Sequence, residues 1–329
     1  MAAESKRRRY AVVGTGSRAR LYLSAFADRF IETVNLVALC DTSRVRMAWH
    51  AQQVAPRYPH LTCYQAAEFG RMLTETRPDT IVVVTVDRFH ADYIVAALDH
   101  GCDVITEKPV AVSAEQLQAV AAAEKRSGRR VRVIFNARYA PEFSAIRKML
   151  VDGRIGEVHL VEMAELLDTS HGADYFRRWH RQKINSGGLL IHKACHHFDL
   201  VNWWLDDQPR RVFAAGSLAF YGKRNAERRG EVYRYDRYTD EPDAEDDPFA
   251  LTLDSGRHHD DFLRGLYLEA EQETGYLRDG NVFAAGIDIE DTASVVVSYQ
   301  NGAILGYSLV AYSPWEGIRL ALTGDRGRI

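Results

Sequence analysis

Six residues near the start of the chain constrain its fold more than any others: Gly14-Thr15-Gly16-Ser17-Arg18-Ala19, spaced as G-x-G-x-x-A. Glycine turns are common, so the spacing alone says little. Here it follows a short apolar run, Tyr10 to Val13, and opens a helical pattern from about Arg18 to Phe30. A second apolar run, "VNLVALCD", ends at Asp41. Strand, turn, helix and strand make a β-α-β unit, the context in which this spacing marks a dinucleotide site. Gly14 permits the tight turn, Gly16 lets backbone approach a pyrophosphate, and Ala19 lets helix and strand pack closely. With Thr15, Ser17 and Arg18 they place a helix N-terminus, with its N–H groups and partial positive charge, at that pyrophosphate. Asp41 is placed to accept hydrogen bonds from the adenosine ribose and to repel a 2′-phosphate, which favours NAD. Arg44, three residues on, keeps NADP open.

The alternation continues. "PDTIVVVT" reads as a strand buried on both faces, "HADYIVAALDHG" as a helix ended by Gly101, and "CDVITEKP" as a strand stopped by Pro109. "SAEQLQAVAAAEKRSG" carries Ser113 and Gln116 in capping-box spacing, and "RRVRVIFN" is one more strand. The expected fold class is α/β: a doubly wound parallel sheet over residues 1–136. Over residues 137–329 the pattern changes. "GEVHLVEMAEL" alternates like a half-buried strand, and "TASVVVSYQNGAILGYSLVAY" is a hairpin around Asn301-Gly302. An α+β domain with a largely antiparallel sheet is expected there. The charged stretch from Tyr221 to Asp261 reads as a solvated, partly disordered excursion, or as a lid or oligomer contact. Its His258-His259-Asp260-Asp261 run is read as solvated loop rather than metal site.

The net charge of −3 gives no reason to expect nucleic-acid binding. The apolar run after the basic residues Lys6 to Arg9 is too short for the apolar core of an export signal, and no stretch is long and apolar enough to span a membrane. The four cysteines, Cys40, Cys63, Cys102 and Cys195, form no C-x-x-C pair. A reducing cytoplasm is expected.

"IHKACHHFDLVNWW", Ile191 to Trp204, is dense in reactive side chains. His192 and His196 are four apart, which on one helix stacks them on one face, continued by Asp199 and Trp203. Lys193 and His197 form a neighbouring stripe. His-x-x-x-His on a helix is one way to hold zinc. The same residues also make an acid/base constellation that needs no metal, and none is expected. Upstream, "YFRRWHRQKINSGG" offers Trp179 as a stacking plate for a sugar, among cations that donate hydrogen bonds, or else a solvated charged loop.

Several stretches, in order, resemble the Gfo/Idh/MocA oxidoreductases, a family named for glucose–fructose oxidoreductase, inositol dehydrogenase and a rhizopine-catabolism protein. Thr85 and His90 stand where that family has T-P-x-x-x-H, with Val86 in place of the proline. Glu107-Lys108-Pro109 matches its Glu-Lys-Pro motif. "NSGGLLIHKACHHFDLVNWWL" is similar to G-G-x-x-x-D-x-x-x-H-x-x-D, with His192 in place of the first aspartate. The resemblance implies that His196 is the catalytic histidine beside Lys108, and that Thr85, His90 and Glu107 lie at the cofactor. Arg138, Trp179, Lys193, His197 and Asp199 are then expected at the substrate. Lys108 and His196 share the proton of a substrate hydroxyl, and the sequence leaves open which is the base. The expected activity is NAD-dependent hydride transfer from a secondary hydroxyl of a sugar, polyol or glycoside. One alternative is a redox glycosidase that oxidises, eliminates and re-reduces. Another is a non-catalytic NAD-binding regulator, which Lys108 disfavours. The resemblance also implies a homo-oligomer, dimer or tetramer, through the C-terminal sheet. The chain stops at "RLALTGDRGRI" where relatives continue with a strand and helix, so C-terminal truncation is expected.

Overall fold

A computed structural model of the chain describes residues 7–254 and 261–329. The chain divides into two compact units, Met1–Ile134 with Thr252–Arg278, and Phe135–Leu251 with Asp279–Ile329.

In the first unit, strands β1 (Arg8–Val13), β2 (Val34–Asp41), β3 (Thr62–Gln65), β4 (Thr80–Val83), β5 (Asp103–Thr106) and β6 (Val131–Val133) form one sheet. Its order is β3-β2-β1-β4-β5-β6, and every pairing is parallel. Helices α1 (Ala19–Ala27), α2 (Arg44–Val54), α3 (Phe69–Thr76), α4 (His90–Asp99) and α5 (Ala114–Ser127) connect the strands. All four residues of β4 are buried, as a strand covered on both faces requires. Ala11, Val13, Ile94 and Leu98 belong to one apolar layer, and Val12, Leu23, Leu39 and Met47 to the other. Strand order reverses between β1 and β4. That switch point is where ligands bind in open α/β sheets, and Gly14, Thr85 and Lys108 follow the ends of β1, β4 and β5. Ser113 caps α5 by accepting from Gln116 N at 3.2 Å. The reciprocal Gln116 Oε1 bond goes to Val112 N at 3.0 Å, one residue before the capping-box position.

Residues 252–278, read from sequence as part of the second domain, pack on the first unit. Leu266 and Ala270 are fully buried. Arg46 Nε donates to Leu266 O at 2.8 Å, and the Trp49 and Phe262 rings meet edge-on at 5.4 Å.

The second unit holds α6 (Pro141–Val151), β7 (Val158–Asp168), α7 (Thr169–Arg177), α8 (Lys183–Ser186), α9 (Leu189–His192) and α10 (Cys195–Leu205). Strands β8 (Pro209–Ser217), β9 (Thr292–Tyr299), β10 (Ile304–Ser313), β11 (Gly317–Gly324) and β12 (Gly327–Arg328) follow. The sheet order is β12-β11-β7-β10-β9-β8; β10 pairs with β7 in parallel and the other pairs are antiparallel. β9 and β10 are the hairpin expected around Asn301-Gly302. One sheet face, with Met163, Val295, Leu305 and Leu309, is in a core with Phe176, Leu200 and Trp204. The opposite face leaves Leu160, Phe213, Val296 and Ile304 exposed.

The charged stretch is not wholly solvated. Tyr221, Tyr238 and Ala244 are buried, and Asp279 accepts from Thr239 N at 2.7 Å. Its aromatic residues, spaced among the charges, supply this core. His258, His259 and Asp260 lie outside the described residues.

Candidate active site

The glycine loop shows why its residues are what they are. Gly14 has φ of 91°, and a Cβ there would come within 2.6 Å of the Val84 carbonyl. A Cβ at Gly16 would stand 3.6 Å from the Tyr267 hydroxyl, so this side of the loop is bare backbone capped by one tyrosine oxygen. Asp41 ends β2 with its carboxylate turned to the loop. It accepts from Thr15 N at 2.5 Å and from Ser43 N at 2.8 Å. His50 contacts Gly16 O through Nε2 at 3.2 Å, and burial lowers its pKa. Thr15 is fully buried. Ser17 N donates to the Tyr267 hydroxyl at 3.0 Å. A glycine turn without side chains at Gly14 and Gly16, a helix N-terminus and a carboxylate at the end of the second strand are a donor and acceptor set that fits a dinucleotide.

Lys108 is held from both sides. Before it, Glu107 Oε1 accepts from Arg18 Nε at 2.7 Å and from the Tyr22 hydroxyl at 2.9 Å, tying the end of β5 to the start of α1. After it, the Lys108–Pro109 peptide is cis, and His90 Nδ1 reaches Pro109 O at 2.7 Å. His90 Nε2 faces Thr85 O at 3.2 Å. A neutral imidazole donates through one nitrogen only, and the shorter contact favours Nδ1. Burial lowers the His90 pKa, which keeps the ring neutral. Thr85 Oγ1 donates to Val86 O at 3.2 Å. Arg18, His90 and Glu107, expected at the cofactor, are thus braces that fix the loops carrying Thr85 and Lys108.

In the second unit the expectation that His192 and His196 stack on one helix needs correction. The helix breaks between α9 and α10. Ala194 N reaches back five residues, to Leu189 O at 2.9 Å, and this wide turn separates the two histidines. His192 lies against His180, Tyr175 and Trp179, with ring centroids at 4.2, 5.6 and 5.9 Å. His196, in the first turn of α10, meets the edge of Phe135 at 6.0 Å. Trp179 stacks on His180 at 3.6 Å, so one face of the expected sugar plate is covered.

Beside these rings runs a buried polar network. Lys193 Nζ lies 3.1 Å from Glu165 Oε1, and His197 Nε2 lies 3.4 Å from Glu165 Oε2. His197 Nδ1 contacts the Tyr307 hydroxyl at 2.9 Å. Burial raises the Glu165 pKa, partly offset by Lys193. Burial alone would lower the Lys193 pKa, but Tyr175 and Glu165 outweigh it and the ammonium is held above its ordinary range. Asp199 takes a two-pronged guanidinium pair from Arg138, at 2.7 and 2.5 Å. Lys193, His197, Arg138 and Asp199, expected at the substrate, are therefore engaged with other side chains of this unit. Sequence reading missed Glu165 and Tyr307. Their signal was present: each occupies a core-facing position of an alternating strand, between Met163 and Leu167 and between Leu305 and Leu309. Tyr22, Tyr267 and Glu273 were missed with no comparable signal. Among the described residues, no group of three or more His, Cys, Asp or Glu is arranged to hold a metal ion.

Comparison with known proteins fits this geometry. Residues 8–135 match the model of the oxidoreductase family's NAD-binding Rossmann fold, and residues 147–329 match its C-terminal alpha/beta domain. The chain is 36% identical over 321 residues to YteT of Bacillus subtilis (strain 168), covering 96% of this chain and 74% of YteT. It is 28% identical over 198 residues to the D-glucoside 3-dehydrogenase of Escherichia coli (strain K12), covering 60% of this chain and 54% of that enzyme. The fold is similar to that of scyllo-inositol dehydrogenase from Lactobacillus casei with bound NAD(H) and scyllo-inositol. There the TM-score is 0.66 at 14% identity, covering 98% of this chain and 76% of that one. With both domain models matched in order, the chain belongs to the Gfo/Idh/MocA oxidoreductase family, with a Rossmann NAD-binding domain followed by the family's alpha/beta domain.

Proposed function

We propose that the chain oxidises a secondary hydroxyl of a sugar, polyol or glycoside, with NAD as the hydride acceptor. The observation that carries this reading is the placement of Lys108. It follows β5 at the carboxyl edge of a dinucleotide-binding sheet, in a loop braced by Glu107–Arg18 on one side and Pro109–His90 on the other. NAD, when bound, supplies the hydride acceptor. The chain's residues manage the proton. Lys108 and His196 are assigned to the substrate hydroxyl, one as base and one as orienter. Bracing of this kind matters because misplacement of a reacting group by about 1 Å costs about 10²-fold in rate. Arg138–Asp199 and Glu165–Lys193–His197 position the start of α10, which carries His196. His192 lies with His180 and Trp179 beside it. The glucoside and inositol dehydrogenases among similar proteins support the substrate class.

The test is absorbance at 340 nm with NAD across a panel of sugars, polyols and glycosides, with product chromatography in parallel. Net NADH is expected. Product formed with no net NADH would instead indicate transient oxidation with re-reduction, as in a redox glycosidase.

We also assign the open face of the second sheet to a second copy of this chain. Phe213 pairs with Val296 and Ile304 with Leu160 on that face, at 70, 50, 46 and 38% exposure. An apolar sheet face of this kind marks an interaction surface. Phe213→Asp with Val296→Asp should convert the oligomer to monomer by light scattering; an unchanged mass would refute this face as the interface. Among the described residues no helix is long and apolar enough to cross a membrane. A cytoplasmic enzyme without nucleic-acid partners is the setting we propose.

A further inference from the structure

The segment 252–278 does more than cover the first unit. It brings Glu273 to the N-terminus of α2. Glu273 Oε1 accepts from Arg44 N at 2.8 Å, and Oε2 accepts from Ser43 Oγ at 2.8 Å and Val45 N at 3.3 Å. Ser43 is also the residue whose N–H holds Asp41, at 2.8 Å. Ser43 therefore bonds both Glu273 and Asp41, the group that meets the adenosine ribose in a Rossmann unit.

This position has a chemical meaning. In dinucleotide folds the turn after the second strand separates the two cofactors: a carboxylate there takes the ribose 2′-OH, and an arginine nearby takes a 2′-phosphate. A 2′-phosphate would seek a hydroxyl, helix N-terminal N–H groups and a guanidinium. Ser43, the N–H groups of Arg44 and Val45, and Arg44 itself are that set, and an anion from the same chain already holds the hydroxyl and the two N–H groups. We propose that Glu273 is an internal stand-in for the 2′-phosphate, which fills the recognition site for that group and sets the choice of NAD over NADP. The proposal deepens the cofactor reading above and rests on it.

The surroundings show that Glu273 is held there. Arg46 Nε bonds Leu266 O at 2.8 Å, and its guanidinium lies over the Tyr267 and Tyr276 rings at 5.2 and 5.7 Å. Tyr267 accepts from Ser17 N in the glycine loop at 3.0 Å. Burial alone would raise the Glu273 pKa, but the Arg44 and Val45 N–H groups, the Ser43 hydroxyl and the Arg44 charge outweigh it. The carboxyl is held below its ordinary range, so it is an anion at neutral pH.

A phosphate carries about two negative charges near neutral pH, so it meets both repulsion and occupied donors here. Removing the carboxylate frees the donors and the charge together. Calorimetric titration of the full chain with NAD, NADP, ADP and 2′,5′-ADP tests this. Glu273→Ala should lower the ratio of NADP to NAD dissociation constants by about tenfold or more, as expected for regaining charge-assisted hydrogen bonds. The ratio for 2′,5′-ADP to ADP should fall in parallel. Glu273→Gln, which keeps shape and loses charge, should fall between, and serves alone if the alanine variant does not fold. Asp41→Ala should narrow the NAD preference less in the native background than when combined with Glu273→Ala. A native chain that binds NAD, with ratios unmoved by both Glu273 variants, refutes this proposal alone. A native chain that binds neither NAD nor ADP, or prefers NADP, refutes the cofactor reading and this proposal with it.

Discussion

Lys108→Met should lower turnover by about 10²–10⁴ while leaving NAD affinity close to native, the range for loss of a general acid or base. Methionine keeps the length and apolar stem of lysine and removes its proton. The neighbouring braces do not depend on the ammonium: Arg18–Glu107 and His90–Pro109 involve the adjacent residues. The loop should therefore keep its shape, and the loss should be read as chemistry. His196→Ala should have a similar effect. If both groups serve one proton, the double variant should be little worse than either single one. Steady-state kinetics with a turned-over substrate, beside calorimetric NAD binding, separates the two terms. Near-native turnover in Lys108→Met would remove the proposed chemistry.

The largest effect on stability should come from Lys193→Met. The change leaves the Glu165 carboxyl buried with its closest cation removed. Its side chain is 6% exposed and that of Lys193 is 18% exposed, so solvent screens the pair weakly. Breaking a buried pair from one side costs about 3–5 kcal/mol. Lys193→Met combined with Glu165→Leu should recover much of that, because the desolvation penalty goes with the charge. The pH dependence has a definite sign. The folded-state pKa of Lys193 is raised above 10.5, so its contribution is complete below pH 10.5 and is lost as pH rises through the folded value. Urea unfolding at neutral and alkaline pH measures both effects. A loss in Lys193→Met of less than about 0.5 kcal/mol, the range of ordinary surface changes, would show that the pair is not structural.

The parallel sheet was legible because strands covered on both faces read as unbroken apolar runs, and "TIVV" is buried at every position. The hairpin was legible from its Asn-Gly turn. The short strand Thr62–Gln65 was not, since four residues with exposed Thr62 and Cys63 carry no period. The break after His192 was also hidden. The spacing of apolar residues is the same on a continuous helix and on two segments joined by one wide turn, so periodicity cannot register it. Lys108 and the glycine loop could be placed from local context alone. The roles of Glu107 and His90 as braces could not, because their partners lie up to 89 residues away. Glu273 was still less accessible: it caps a helix that begins 229 residues earlier. The stretch that composition marks as polar ends at Asp261, short of Glu273, and nothing local in the sequence says where the following segment docks.

The return of residues 252–278 to the first unit also orders the assembly of the chain in time. As the chain is synthesised, the sixth strand of the dinucleotide sheet is complete long before Tyr267 and Glu273 exist. Until then the Ser17 amide and the donors at Ser43 and Arg44 lack the partners that Tyr267 and Glu273 give them in the complete chain. The nucleotide-binding half is thus finished by a piece of sequence made after most of the other half, across a loop closure of high sequence separation. A nascent chain halted near residue 250 would carry a recognisable dinucleotide sheet with its 2′-phosphate selector still missing.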